Sequence, residues 1–172
     1  MSSTTAAGIT HRTFVSYIDK SREYYAAHGY TTPYRWASNT NAPFTTLDKP
    51  LAESRVGIVT TSFPRREDRP DVWAGGKVKA PYALPLDEVP DRMFTDDLSW
   101  DKDATNTDDL GSYLPVAQLQ AAVAGGRIGS VSPRIYGLPT DYSQRRTREV
   151  DAPALLDMAL EDNVDAMILV PL

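Results

Sequence analysis

Short apolar runs without strict alternation, separated by amphipathic segments, characterise the chain from residue 54 onward. The runs that predict buried strands are "SRVGIVTTSFP" (54–64), "RIGSVSP" (127–133) and "VDAMILVPL" (164–172). Helical spacing of apolar residues predicts one helix over 114–126 and another over 143–163, where Pro153 either opens a second helix or kinks a long one. This alternation predicts an α/β fold with an open, mostly parallel sheet and flanking helices, of the flavodoxin or Rossmann type.

The first part of the chain is less regular. Apolar residues at helical spacing predict a helix from Arg12 to His28 that is ended by Gly29. The stretch 30–50 is rich in Pro, Thr and Asn and predicts an irregular segment. Its aromatic anchors would be Tyr34, Trp36 and Phe44. We therefore expect a flexible tail (1–10), an N-terminal helix with an extended segment (11–53), and an α/β domain (54–172) that is incomplete at its C-terminus. Within that domain, the proline-rich stretch 65–112 predicts loops with a short helix or an extra strand.

The composition is that of a globular protein, since 41% of the 172 residues are apolar and 24% are charged. A net charge of −5 argues against nucleic acid as a partner, and acidic residues interrupt or border both basic clusters, at 64–68 and 144–149. No apolar run reaches the roughly 18 residues of a membrane span, and residues 1–14 lack the features of a signal peptide. The cytoplasm is therefore the expected location, with no membrane partner.

The sequence contains no cysteine and only two histidines. Within these 172 residues, disulfides, thiolate metal sites and a cysteine nucleophile are excluded, and no metal is expected. The acidic segment 96–109 does not fit a calcium loop, because Asn106 stands where the turn glycine belongs and Ser112 where the bidentate glutamate belongs. An irregular Mg²⁺ or Ca²⁺ site is the alternative to our expectation that Asp108 or Asp109 caps the chain before the next helix.

Ligands of open parallel sheets bind beyond the carboxyl ends of the strands. The residues predicted to form such a pocket are Thr60, Thr61, Ser62, Arg134, Tyr136 and Pro171. Their hydroxyls, the phenol and a bidentate guanidinium at Arg134 suit a small carboxylate- or amine-bearing ligand. The alternatives are strand propensity and local hydrogen bonds for Thr60 and Thr61, and a surface ion pair for Arg134.

Five stretches of the chain resemble, in order, the glycine/sarcosine/betaine reductase selenoprotein B and D-proline reductase family. They are "YTTPYRWA", "SRVGIVTTSFP", "TNTDDLGSYLPVAQL", "GGRIGSVSPRIYGLPTDYSQRRTREVDAPALL" and "EDNVDAMILVPL". The resemblance runs from about Tyr17 to Leu172 and is most specific from Asp108 onward.

The resemblance implies a subunit of a reductase that acts on a small amino acid or amine. In this family a partner subunit carries a pyruvoyl group that activates the amine, a selenolate attacks carbon, and thiol reductants regenerate the selenolate. The family's last strand runs into a selenocysteine motif, which would come immediately after Leu172. No catalytic residue is therefore expected within these 172 residues, and we expect the gene to continue through an in-frame UGA codon that is otherwise read as a stop.

Two other functions stay open. The first is a non-catalytic α/β protein that binds a small anion or a reductase partner. The second is a flavodoxin-like module for a nucleotide or flavin, although the chain has no Walker A, G-x-G-x-x-G or G-x-S-x-G motif. No cofactor is expected in this chain itself. An apolar strand near a sheet edge at 164–172 also predicts aggregation or a homo-oligomer.

Overall fold

The computed structural model divides the chain into two compact units, 1–42 and 43–172. The residues that it describes are 17–32, 37–43, 45–95, 106–140 and 143–172. The predicted tail 1–10, the aromatic anchors Tyr34, Trp36 and Phe44, and most of the acidic segment 96–109 lie outside the described residues.

The first unit contains one helix, α1 (Tyr17–Ala27), among its described residues. The helix ends where Gly29 takes a φ of 82°, a left-handed conformation that costs glycine little. The amide of Gly29 donates to the carbonyl of Ala26 at 3.1 Å, which closes the last turn. The predicted role of Gly29 as the residue that terminates the helix is confirmed.

The second unit is built on a mixed, mostly parallel sheet, which confirms the predicted α/β class. Its strands are β1 (Arg55–Thr60), β2 (Trp73–Ala74), β3 (Lys77–Val78), β4 (Tyr82–Pro85), β5 (Ser130–Val131), β6 (Arg134–Gly137) and β7 (Ala166–Val170). Strands β5, β6 and β7 run parallel to β1, whereas β4 runs antiparallel to β6. Strands β2 and β3 form a separate hairpin. Because Val56 and Val59 pair with β7 on one edge and with β5 or β6 on the other, β1 is the central strand.

Strand β1 is almost completely buried because its apolar side chains meet neighbours on both faces. Val56, Ile58 and Val59 are all buried. Gly57 stands between them where two strands come close together. A Cβ atom there would lie 3.0 Å from the sulfur of Met167 on β7 and 3.2 Å from the ring of Tyr136 on β6. The absence of a side chain at Gly57 therefore leaves room for the side chains of Met167 and Tyr136 against β1.

On the edge opposite β7, strand β1 pairs with two short strands that follow each other in the sequence, β5 and β6. The sequence predicts a strand over 127–133, but pairing occurs over Ser130–Val131 and resumes over Arg134–Gly137. The interruption falls at Pro133, which has no amide hydrogen to donate to the ladder. Arg134 therefore begins a strand instead of lying in a loop beyond a strand end.

Helices cover both faces of the sheet. Helix α2 (Val116–Ala124) packs against Val56 through Ala122. The opposite face, towards which Met167 points, meets a long helix made of α3 (Gln144–Arg146), a π-helical turn (147–151) and α4 (Ala152–Glu161). Pro153 falls in the first turn of α4, directly after the π turn, so it opens this helix within a continuous helical segment.

The proline-rich stretch 65–112 after β1 contributes a strand to the sheet and side chains to the core. Gly75 and Gly76, both with positive φ, form the tight turn between β2 and β3. Strand β4 is the extra strand that the sequence allowed for, and Phe63 pairs with Phe94 as an isolated antiparallel bridge. The carboxylate of Asp109 accepts from the amide of Gly111 at 3.0 Å, which confirms a capping role for an aspartate before α2.

Candidate functional site

The carboxyl ends of β1, β6 and β7 meet at one edge of the sheet because the three strands are parallel. Four of the six predicted pocket residues lie here, at the end of β1 and just after β7. They are Thr60, Thr61, Ser62 and Pro171. The amide of Leu138, the first residue after β6, donates to the carbonyl of Thr60 at 2.9 Å. We call this group the carboxyl-end cluster.

Thr61 fixes the chain just beyond β7. Its hydroxyl donates to the carbonyl of Leu172 at 3.1 Å and accepts from the amide of Leu172 at 2.8 Å. One side chain thus satisfies both backbone groups of Leu172 and continues the β1–β7 pairing past Val170. Thr61 is half-buried and Pro171 is exposed, so a ligand can reach this part of the cluster.

Thr60 and Ser62 lie beneath the surface of the carboxyl-end cluster. Both are buried, and their hydroxyl oxygens are 2.9 Å apart. The phenol of Tyr82 donates to the carbonyl of Ser62, and the sulfur of Met93 lies 3.9 Å from the Ser62 hydroxyl. Burial raises the pKa of Tyr82, so this phenol stays protonated and keeps its role as donor. The hydroxyl of Thr60 thus makes the local hydrogen bond that the alternative interpretation of this residue predicts.

Arg134 and Tyr136 point away from the carboxyl-end cluster. The guanidinium of Arg134 donates to Asp162 at 2.8 Å and to Glu161 at 2.7 Å. The phenol of Tyr136 lies 2.6 Å from the same oxygen of Asp162 and 2.7 Å from the hydroxyl of Ser132. Asp162 follows α4 and precedes β7, so these contacts form at the amino ends of the strands. The structure therefore does not bring Arg134 and Tyr136 together with the four other predicted pocket residues.

We call this second group the amino-end cluster, and it extends to the start of β1. The amide of Arg55 donates to Asp165 at 2.7 Å, and Lys49 lies 2.7 Å from the same carboxylate. The guanidinium of Arg55 donates to the carbonyl of Asp162. Two aspartates that flank the turn before β7 are thus each held by at least one basic residue. For Arg134, the structure thus contains the ion pair that the sequence left open as an alternative to ligand binding.

The electrostatics of the amino-end cluster match this geometry. Burial raises the pKa of Asp162, but hydrogen bonds from Arg134 and Tyr136 outweigh it and hold the pKa below its usual range. Burial, and next the hydrogen bond to the Asp162 carboxylate, raises the pKa of Tyr136 to about 12. A neutral phenol, a carboxylate and a guanidinium therefore coexist near neutral pH. Such a set of groups is typical of side chains that stabilise a fold.

A further basic group lies at the start of the long helix and was not among the predicted site residues. Arg146 donates to the carbonyl of Lys79 and lies 3.4 Å from the carboxylate of Asp151, which is buried in the π turn. The sequence signal for this group was the basic cluster 144–149. Its exposed members, Arg145 and Arg148, follow the carboxyl end of β6 along the chain. The guanidinium of Arg145 lies 3.6 Å from the carboxylate of Glu149.

Two surface cavities lie away from the carboxyl-end cluster. One, of about 400 Å³, lies beside α2 and is lined by Leu119, Ala122 and Arg127 among others. The other, of about 270 Å³, is an apolar groove between α4 and β7. Within the described ranges, no group of three or more His, Cys, Asp or Glu side chains could hold a metal ion. No helix in the same part of the chain is long and apolar enough to cross a membrane.

Comparisons of the chain with protein-family models, curated proteins and solved structures find no match. The resemblance to the selenoprotein B and D-proline reductase family therefore stays a prediction.

Proposed function

We propose that this chain is a selenoprotein B-like subunit of a reductase that acts on a small amino acid or amine. The observation that carries the proposal is the double hydrogen bond between Thr61 and Leu172. It fixes, at the carboxyl ends of β1 and β7, the point after which the resemblance implies a selenocysteine. Parallel α/β sheets keep their ligands at this edge, and we propose that the sheet is of the doubly wound, flavodoxin- or Rossmann-like type.

On this proposal the 172 residues form the scaffold, and the selenocysteine that follows Leu172 supplies the nucleophile. The selenolate would attack the carbon that bears the activated amine, so that a carbon–selenium bond forms as the carbon–nitrogen bond breaks and the amine leaves on the partner subunit. Two thiols would then be oxidised to a disulfide, and their two electrons with one proton would break the carbon–selenium bond, release the reduced carbon product and regenerate the selenolate. A partner subunit with a pyruvoyl group activates the amine. Thr61, which bonds to Leu172, would then adjoin the nucleophile, and the exposed Arg148 would be a candidate to bind a substrate carboxylate.

A second function, non-catalytic binding of a partner, is favoured by a different observation. Strand β7 and helix α4 expose several large apolar side chains, which is typical of an interaction surface. This function needs no residue after Leu172. The two proposals therefore differ in whether activity depends on an extended chain.

The coding DNA beyond codon 172 tests the reductase proposal first. We expect an in-frame UGA followed by codons for a cysteine-containing segment. A different stop codon, or a continuation without cysteine, would contradict the proposal.

Activity provides the second test. The extended protein, made with selenocysteine or with cysteine in its place, should cleave glycine, betaine, sarcosine or D-proline reductively when a dithiol and a pyruvoyl-containing partner subunit are present. Substrate consumption should be absent for the 172-residue chain. In the extended protein, Thr61→Val should lower the rate, whereas Thr61→Ser should largely restore it. Equal activity of the short and extended chains would refute the assignment of the nucleophile.

A further inference from the structure

The side chain of Tyr82 crosses one strand of the sheet and reaches the next. Its own strand, β4, pairs with β6, where Tyr82 lies opposite Gly137, and Gly137 lies opposite Thr60 on β1. The phenol nevertheless donates to the carbonyl of Ser62, two residues beyond Thr60. Tyr82 is buried, and a hydrogen bond in such a place is costly to leave unmade. A side chain of β4 therefore helps to hold the end of β1, although these two strands are not neighbours.

Gly137 leaves room for this crossing. A Cβ atom there would lie 2.5 Å from the phenolic oxygen of Tyr82 and still closer to its ring. Gly137 does not have a positive φ, so the backbone conformation does not require glycine at this position. The missing side chain is what the position requires, because glycine within a strand is typical of a close approach.

The residues on both sides of Thr61 are fixed by hydrogen bonds. The carbonyl of Thr60 accepts from the first amide after β6 at 2.9 Å. The amide of Ser62 donates to the hydroxyl of Thr60 at 3.1 Å, and the carbonyl of Ser62 accepts from Tyr82. Between them, Thr61 bonds to both backbone groups of Leu172. The hydrogen bond from Tyr82 is thus one residue away from the contact that fixes Leu172.

We propose that Tyr82 and Gly137 position the nucleophile of the reductase. The phenol holds the carbonyl of Ser62, and this segment in turn directs the hydroxyl of Thr61 to Leu172. The selenocysteine is expected directly after Leu172, so this inference rests on the proposed function. Burial raises the pKa of the Tyr82 phenol, which therefore stays protonated and remains a donor near neutral pH.

Steady-state kinetics of the extended protein test this positioning role. Tyr82→Phe keeps the ring but removes the hydrogen bond to Ser62. It should lower kcat by at least about tenfold with little change in KM, because a misplaced nucleophile reacts more slowly while the substrate contacts persist. Tyr136→Phe is the matched control, since it also removes a buried phenol from the sheet, but at the amino-end cluster. This control should leave kcat largely unchanged.

Gly137→Ala tests the same hydrogen bond in a second way. The added methyl group would displace the ring of Tyr82, so kcat should fall as in Tyr82→Phe although the phenol is still present. The double variant should lose no more of kcat than the more impaired single variant, because both changes break one hydrogen bond. Losses that multiply in the double variant would mean that the two residues act independently.

Amide hydrogen exchange of the 172-residue chain separates this inference from the reductase proposal. Tyr82→Phe should raise the exchange rate at Leu172 and leave it unchanged at Arg55, at the other end of β1. If the extended wild-type protein has no reductase activity, the reductase proposal fails, while faster exchange at Leu172 still supports the positioning role of Tyr82. Unchanged exchange at Leu172, an unchanged kcat in Tyr82→Phe, or an equal loss in Tyr136→Phe would each overturn the inference.

Discussion

The two ends of the sheet are held together by different chemistry. At the amino ends, two aspartates before β7 are held by Arg134, Arg55 and Lys49. At the carboxyl ends, neutral hydroxyls bond to one another and to the backbone. The fold thus uses ion pairs at one end of the sheet and neutral hydrogen bonds at the other, where we propose that a ligand binds.

The reason lies in which groups each end must satisfy. The last turn of α4 leaves carbonyls without helical partners, and Glu161 and Asp162 add negative charge beside them, so guanidinium groups stabilise this end. At the carboxyl ends, Thr60 and Ser62 satisfy each other below the surface. Among the described residues of this cluster, Thr61 is half-buried and Pro171 is exposed. A site that is neutral in the resting protein can accept an ion without first breaking an ion pair.

The largest effect that would test this contrast is expected at the amino end. Asp162→Ala removes the shared acceptor of Arg134 and Tyr136 and should lower the free energy of unfolding by about 2–3 kcal/mol. Urea denaturation measures this change. Glu161→Ala is the matched control because its side chain contacts the same arginine but is 71% exposed, compared with 10% for Asp162. Glu161→Ala should lower the free energy of unfolding by less than about 1 kcal/mol. Equal losses in the two variants would contradict the conclusion that Asp162 is the main stabilising residue of the amino-end cluster.

A smaller effect is expected at the carboxyl end. Thr61→Val keeps the shape of the side chain but removes both hydrogen bonds to Leu172, and should cost about 1–2 kcal/mol in urea denaturation. Amide hydrogen exchange should increase at Leu172 and stay unchanged at Arg55. Thr61→Ser should retain most of the protection. Faster exchange at both ends of β1 would mean that the two clusters are coupled.

The smallest effect is a difference in pH dependence. The folded-state pKa of Asp162 is lowered, so its contribution to stability is present above its ordinary value of 3.8 and is lost as the pH falls through the folded value. Arg134→Gln should weaken this acid dependence in urea denaturation across pH 2 to 6, a range chosen around the ordinary aspartate pKa. Thr61→Val should leave the slope unchanged. An unchanged slope in Arg134→Gln would show that other carboxylates dominate acid unfolding.

The sequence predicted the main elements because their patterns are local. The run around Val56, the helix after Pro115 and the apolar strand near the end of the chain were all placed correctly. The predicted strand over 127–133 ended too early, because the pattern does not show whether a chain resumes pairing after Pro133. That shift moved Arg134 from an expected loop to the start of β6.

The carboxyl-end cluster was predictable only in part. The pattern shows a buried strand that ends near Thr60. It therefore predicted that Thr60, Thr61 and Ser62 lie at the carboxyl end of β1. The partners of Arg134 could not be predicted from the pattern, because Asp162 lies 28 residues further along the chain. The sequence left a ligand and an ion pair as open alternatives for Arg134, and the structure shows the ion pairs with Glu161 and Asp162.

The π turn at 147–151 has a consequence for insertions and deletions. A π turn accommodates one residue more than a regular α-helix does over the same length. Removing one residue there would give a regular α-helix of about the same length, so the residues before the turn would keep their orientation relative to α4. Arg146 would then stay near the carbonyl of Lys79. The same deletion within α4 would rotate the preceding residues by about 100°, so the π turn is the part of the long helix that best tolerates the loss of one residue.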